Sequence, residues 1–202
     1  MTPSEVGIPA SGGAGRAPVG LFLRRNFLPP TALLRLLGAF DRLGAHWKSS
    51  AELGLLGRGG AWQVRPSDLA VQAALDVIRD VISVPTLTWA RSCGFQFSDT
   101  PFLALFPVRM VGDAASPAYQ EPHRDSTEGV ARAPVCTNVF YAATRAVAGG
   151  EFAVSARGEP DLSDAVVLQP SVNTIVTLPG DRVHWVQPLY AGERLSVVVN
   201  VF

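Results

Sequence analysis

The sequence predicts a mainly β protein, a sandwich or barrel with two helices packed outside it. Three observations carry this expectation. Two segments with apolar residues at helical spacing lie before Pro85. Beyond Pro85, short runs rich in Val, Thr, Phe and Tyr follow one another between Gly, Pro and Asp clusters, the pattern of successive strands and turns. No repeat and no long helical pattern returns before the C-terminus.

In chain order, Met1 to Val19 is rich in Gly, Ala, Pro and Ser and reads as a flexible lead-in, residues 1–19. Residues 20–202 form a single domain, long enough to bury a substantial core. Leu21 to Leu28 is an entering strand that turns at Pro29-Pro30. Thr31 then suits a helix cap, and Leu33, Leu34, Leu37, Phe40 and Leu43 form the apolar stripe behind it. His46 and Trp47 end that helix, and the glycines of 54–60 make a loop. A second amphipathic helix begins near Ser67 and buries Leu69, Ala73, Val77, Ile78 and Val81. Pro85 closes it, because proline lacks the N–H that a helix interior uses. The strand-like segments are 86–97, 102–111, 134–142, 151–156, 172–178, 182–188 and 194–202.

Composition excludes several classes. The formal net charge is zero, which leaves no basic surplus for phosphates, so nucleic acid is not an expected partner. No run approaches the ~20 apolar residues of a transmembrane helix, and Met1 to Val19 lacks the basic start and apolar run of a signal peptide. Cys93 and Cys136 have no metal-site spacing and read as free thiols in a reducing cytosol. The expectation is a cytoplasmic protein without a membrane partner, a monomer or homodimer.

The residues that carry chemistry are few. Of three histidines, two fall in one pattern: His123-Arg124-Asp125, then His184, then Arg194. A His and a carboxylate at i and i+2 on an extended strand emerge from one face. With a second His from another strand they supply the two-histidine, one-carboxylate set that holds non-haem Fe(II) and leaves coordination positions open. Catalytic zinc also fits three ligands and an open face. Arg194 separates the two readings. A buried guanidinium is costly unless it meets an anion, and its fork suits a carboxylate. An open metal and an Arg further along suit a dicarboxylate that spans both.

From Phe106 onward the chain resembles the Fe(II)- and 2-oxoglutarate-dependent oxygenases, most of all their prolyl-4-hydroxylase-like branch. The motifs are His123-Arg124-Asp125; Arg132 with Thr137-Asn138-Val139-Phe140-Tyr141; Gly149-Gly150-Glu151-Phe152; Leu168-Gln169-Pro170; and His184 with Gly192-Glu193-Arg194-Leu195-Ser196. Phe27-Leu28-Pro29-Pro30-Thr31 resembles the segment that opens the first helix in that branch. The resemblance implies a double-stranded β-helix (a cupin-like jelly roll) with two or more N-terminal helices packed outside. It implies His123, Asp125 and His184 as iron ligands, with no catalytic side chain beyond them. Arg194, Tyr141 and Ser196 would bind 2-oxoglutarate. The cofactors implied are Fe(II), 2-oxoglutarate and O2, with ascorbate as an optional reductant.

Two positions depart from the branch: Met110 stands where a tyrosine is common, and Asn200 where a tryptophan is frequent. Tyr119 is then a candidate to replace the missing hydroxyl or to touch substrate. The substrate contacts expected are Tyr119, Arg109, Arg132, Trp185 and Asn200, with Phe140 as an apolar wall. Retention of Asp125 points away from halogenation, which needs the coordination site a carboxylate fills. The reaction expected is hydroxylation, desaturation or cyclisation of a small molecule, an amino acid or biosynthetic intermediate, free or carrier-tethered. The alternatives are a peptidyl hydroxylase, a non-catalytic jelly-roll binding module, and a metal-binding cupin that uses no 2-oxoglutarate.

Overall fold

In the computed structural model, which describes residues 20–43, 69–125, 133–155 and 162–202, Pro30 rather than Thr31 opens the first helix. Helix α1 spans Pro30–Leu43, and the Pro29 carbonyl accepts its first bond from the Leu33 N–H at 3.0 Å. A proline there loses nothing, since the first N–H of a helix has no partner within it. The buried face is Leu36, Ala39, Phe40 and Leu43, whereas Leu34 is 67% exposed. The expected stripe was therefore rotated: leucines occupy more than one face of this helix, and spacing alone could not choose between them. The expectations for residues 1–19, for His46, Trp47 and the 54–60 loop, and for Arg132 lie outside the described residues.

Helix α2, Leu69–Ser92, runs straight through Pro85, which corrects both the predicted helix end and the predicted strand over 86–97. The buried stripe begins with Val71, Ala74, Ile78, Val81 and Ile82, and continues past the proline with Thr86, Trp89 and Ala90. Leu69 is 78% exposed, and Ala73 is exposed as well. A proline in a helix interior costs about 3 kcal/mol. Each large apolar side chain buried on either side returns about 1.5–3 kcal/mol. Packing wins, and the helix persists.

The strands are β1 (Phe22–Arg25), β2 (Leu103–Val111), β3 (Ala118–His123), β4 (Cys136–Gly149), β5 (Phe152–Ser155), β6 (Ala165–Leu168), β7 (Thr174–Pro179) and β8 (His184–Val201). They form one curled antiparallel sheet in the order β1-β7-β4-β8-β5-β6, with β2 and β3 also pairing with β8. The expected strands 182–188 and 194–202 are one continuous strand. Its first part pairs with β3 and β5, its second with β2 and β4. Gly192 (φ +83°) lies between the halves, where a Cβ would meet the Arg145 and Ala146 carbonyl oxygens.

Strand alternation gives the sheet two faces. Phe140, Ile175, Leu195, Val197 and Val199 face outward and pack with Phe27 and the two helices. Val139, Tyr141, Phe152, Val154, Val176, Leu178 and Val186 face inward. The inner face also carries Arg194, Ser196 and Asn200, by parity with Val198 on β8. This is the mainly β jelly-roll arrangement, with two helices outside it among the described residues. No described helix is long and apolar enough to cross a membrane. Neither cysteine is in a disulfide, and burial pushes the Cys136 thiol up to about 11.

Candidate metal centre and carboxylate pocket

His123 and His184 are directly opposed in the β3–β8 ladder, which brings their rings to 4.4 Å between centroids. Asp125 lies two residues past the end of β3, so only the His of the pair stands on a strand. Its carboxylate nevertheless reaches both rings: Oδ1 is 3.6 Å from His123 Nε2, and Oδ2 is 3.6 Å from His184 Nε2. One ligand atom from each of the three residues falls within a 4.8 Å cluster.

Backbone carbonyls orient the two rings. Nδ1 of His123 lies 2.8 Å from the Glu121 carbonyl, and Nδ1 of His184 lies 3.0 Å from the Arg182 carbonyl. A carbonyl only accepts, so Nδ1 carries a proton on each ring, and Nε2 is the nitrogen turned inward, free to present a lone pair once it is unprotonated. The Gln120 amide rests against that atom of His123 at 3.1 Å. Asp125 also accepts from the Thr137 hydroxyl at 2.6 Å.

The charges follow from burial and from one another. Burial raises Asp125, but the two imidazoles beside it, His123 first, and the Thr137 hydroxyl outweigh it and hold the carboxyl below its ordinary value. Burial lowers His123, but Asp125 and the Glu121 carbonyl leave it raised overall. His184 is buried more deeply, and that burial leaves it lowered.

Further along the inner face lies a second group. Arg194 is 4% exposed and has no carboxylate partner among the described residues. Its Nη1 donates to the Gly150 carbonyl at 2.8 Å, and its Nη2 meets the Met110 sulfur at 2.7 Å. Its Nε has no partner. Tyr141 faces Ser196 across the β4–β8 ladder, with its ring centroid 5.6 Å from the Arg194 guanidinium carbon. The tyrosine hydroxyl is buried and unpartnered, and burial pushes its pKa up to about 12, so it is a neutral donor. Burial also lowers Arg194, as expected of a cation held away from water. The Gly149-Gly150 pair lets the chain pass close to Pro188 and Leu189 of β8 here. Both have positive φ, and a Cβ on Gly149 would lie 2.1 Å from the Pro188 carbonyl oxygen.

Several expected substrate contacts are not brought to this face. Arg109 neighbours the inward Met110 and so points outward, where its Nε bonds Glu193 at 2.6 Å. Trp185 neighbours the inward His184 and packs outside with Ala153 and Val183. Phe140 lies in the outer core against Phe27. Tyr119 is 58% exposed, and it is the Met110 sulfur that lies against the Arg194 guanidinium. Asn200 is inward and 1% exposed, opposite Thr137, with its Oδ1 unpartnered. Thr137 was not among the expected site residues, although it shares strand parity with Tyr141.

No protein-family model and no curated protein matches the chain. Solved structures do. A Pseudomonas putida prolyl-4-hydroxylase is similar with a TM-score of 0.54 at 20% identity, over 90% of this chain and 87% of that one. A Trichoplax adhaerens prolyl hydroxylase, solved with a hypoxia-inducible-factor peptide fragment, gives 0.58 at 14% identity, over 91% and 84%. The non-haem α-ketoglutarate-dependent epimerase SnoN of nogalamycin biosynthesis gives 0.59 at 17% identity, over 91% and 78%. The chain therefore has the fold of the 2-oxoglutarate- and Fe(II)-dependent oxygenases, prolyl-4-hydroxylases among them.

Proposed function

We propose that the protein is a non-haem Fe(II)- and 2-oxoglutarate-dependent dioxygenase that hydroxylates, desaturates or cyclises a small molecule. One observation carries this reading: the inner face that holds His123, Asp125 and His184 also holds a buried, anion-less Arg194 beside an unpartnered tyrosine hydroxyl. The donor set fits the metal. Two neutral imidazoles and one carboxylate suit Fe(II) and leave coordination positions for other ligands. The second group fits a carboxylate. Arg194 has five N–H donors and uses two on neutral acceptors, so it keeps enough for a bidentate carboxylate.

When bound, iron and 2-oxoglutarate supply a two-electron oxidation by O2 that releases succinate and CO2. The chain's own residues do the rest. His123, Asp125 and His184 hold the metal. Arg194 and Tyr141 anchor the distal carboxylate, and Ser196 lies beside them. The apolar inner residues exclude water. SnoN, of similar fold, is named for a biosynthetic pathway, which supports a small metabolite. The peptide bound to the Trichoplax protein keeps a peptidyl substrate as the second reading.

Anaerobic addition of Fe(II) and 2-oxoglutarate should produce a visible metal-to-ligand charge-transfer band. A screen of amino acids, metabolites and peptides should then give succinate with at least one substrate. A wild-type protein with no band and no 2-oxoglutarate-dependent oxygen uptake would leave a binding module as the better description. Chloride incorporated into product would overturn the choice of hydroxylation, desaturation or cyclisation.

A further inference from the structure

Resting on the metal reading above, we propose that Thr137 is a positioning residue for the metal carboxylate, its hydroxyl holding Asp125 turned toward the two imidazoles. The three metal-facing residues are not supported alike. His123 and His184 stand opposite each other in a strand ladder, and each ring is also tied to a backbone carbonyl. Asp125 has neither support. It lies past the end of β3, and the terminal torsion of an aspartate is broad and only weakly selective. Left to itself its carboxylate would sample orientations that face neither ring.

Thr137 supplies the missing constraint. Its Oγ1 donates to Asp125 Oδ2 at 2.6 Å, a charge-assisted bond. The donor is fully buried, and its β-branched side chain is stiff. The strand beneath it is held on both sides, since Thr137 pairs with Leu178 of β7 and Asn200 of β8. The next residue locks the strand from behind. Asn138 donates to the Val199 carbonyl at 3.0 Å and accepts from Thr177 Oγ1 at 2.7 Å. Thr177 in turn accepts from Trp89 Nε1 of α2 at 3.1 Å. A rigid hydroxyl therefore meets the least constrained of the three ligands.

A purely structural threonine would only satisfy its own buried hydroxyl, and its loss would cost stability without touching metal affinity. Co(II) binding to the full chain, followed by calorimetry and by the visible d–d bands, separates the two roles. Thr137→Val keeps shape and removes the donor, and should weaken Co(II) binding about 10–100-fold and alter the bands. Thr137→Ser restores the hydroxyl and should bring affinity back to within about threefold of wild type. The proposal is overturned if the valine variant, folded by circular dichroism, binds Co(II) as wild type does. It is equally overturned if serine fails to recover what valine loses. Failure of wild type itself to bind Co(II) would instead strike the metal reading, and is distinguishable because no variant is needed to see it.

Discussion

Strand β4 carries polar side chains on both faces, and the two faces treat them differently. Outward, the Asn138 amide is paired at both ends, and the Thr177 hydroxyl both donates and accepts. Inward, the Tyr141 hydroxyl is buried without a partner, as are Nε of Arg194 and Oδ1 of Asn200 on β8. Two hydroxyls of α2, Ser83 and Thr86, are also unpartnered, but they are neutral rotors on a helix. A buried polar group left unpaired costs about 1–3 kcal/mol, more if charged. Asn138 and Thr177 on the outer face are paired within the chain. On the proposed reading, the unpartnered Tyr141 hydroxyl and Arg194 Nε would find their partner in a bound carboxylate.

The largest expected effects come from breaking the inner face. His184→Ala removes a metal-facing nitrogen and should lower Fe(II) affinity by more than about 100-fold, with the charge-transfer band lost. The ring is buried, so its removal should also cost some stability, and circular dichroism checks that the variant is folded before its affinity is read. Arg194→Met should weaken 2-oxoglutarate binding about 100-fold, as expected when a charge-assisted bidentate pair is lost. The same change should raise the thermal midpoint of the ligand-free protein, because an anion-less buried cation gives way to apolar packing. Opposite signs for affinity and stability would be hard to obtain from a structural arginine. A fall in both would remove the distinction between the two faces.

How much of this was legible in the sequence follows from strand parity. Arg194, Ser196 and Asn200 share a face because they alternate on one strand, whereas the His-x-Asp motif marked two metal-facing groups that strand alternation does not bring together, since Asp125 stands past the end of β3. The misplaced residues share one physical cause. Arg109, Phe140 and Trp185 are each the immediate neighbour of an inward residue: Met110, Tyr141 and His184. On a strand the nearest neighbour in sequence is on the opposite face, so a shift of one residue inverts the assignment. Thr137, four residues before Tyr141, could have been found by the same rule. The Asn138–Thr177–Trp89 chain could not, since its bonds join residues 39 and 88 positions apart. Nor could α2's passage through Pro85, which depends on what Thr86 and Trp89 pack against. Asn173 is a similar case: its side chain accepts from the Leu28 N–H and donates to the Leu28 carbonyl, both at 2.8 Å, pinning the entry to α1.

Breaking the outer face should give the converse pattern. Thr177→Val strands the Trp89 N–H and one acceptor of Asn138, and should destabilise the protein by about 1–3 kcal/mol in urea unfolding. Binding of 2-oxoglutarate should change far less than in Arg194→Met, because Arg194 and Tyr141 project from the other face of the sheet. A large loss of 2-oxoglutarate affinity would mean that the faces are coupled more tightly than their hydrogen bonds indicate.

The smallest effect belongs to Arg109, and it tests the face assignment most directly. Its guanidinium shares Glu193 with Arg145, at 2.6 and 3.1 Å, on the outside of the sheet. Side-chain exposures of 34% for Arg109 and 62% for Arg145 mean that water screens both pairs. Pairs of this kind contribute less than about 1 kcal/mol. Arg109→Gln should therefore shift the urea midpoint only slightly and leave substrate KM unchanged. A substrate-binding arginine would behave otherwise: loss of a charge-assisted contact, about 1.5–3 kcal/mol, would raise KM at least tenfold with stability unaltered. That outcome would place Arg109 in the pocket, and with it reverse the inward assignment of Met110 on the same strand.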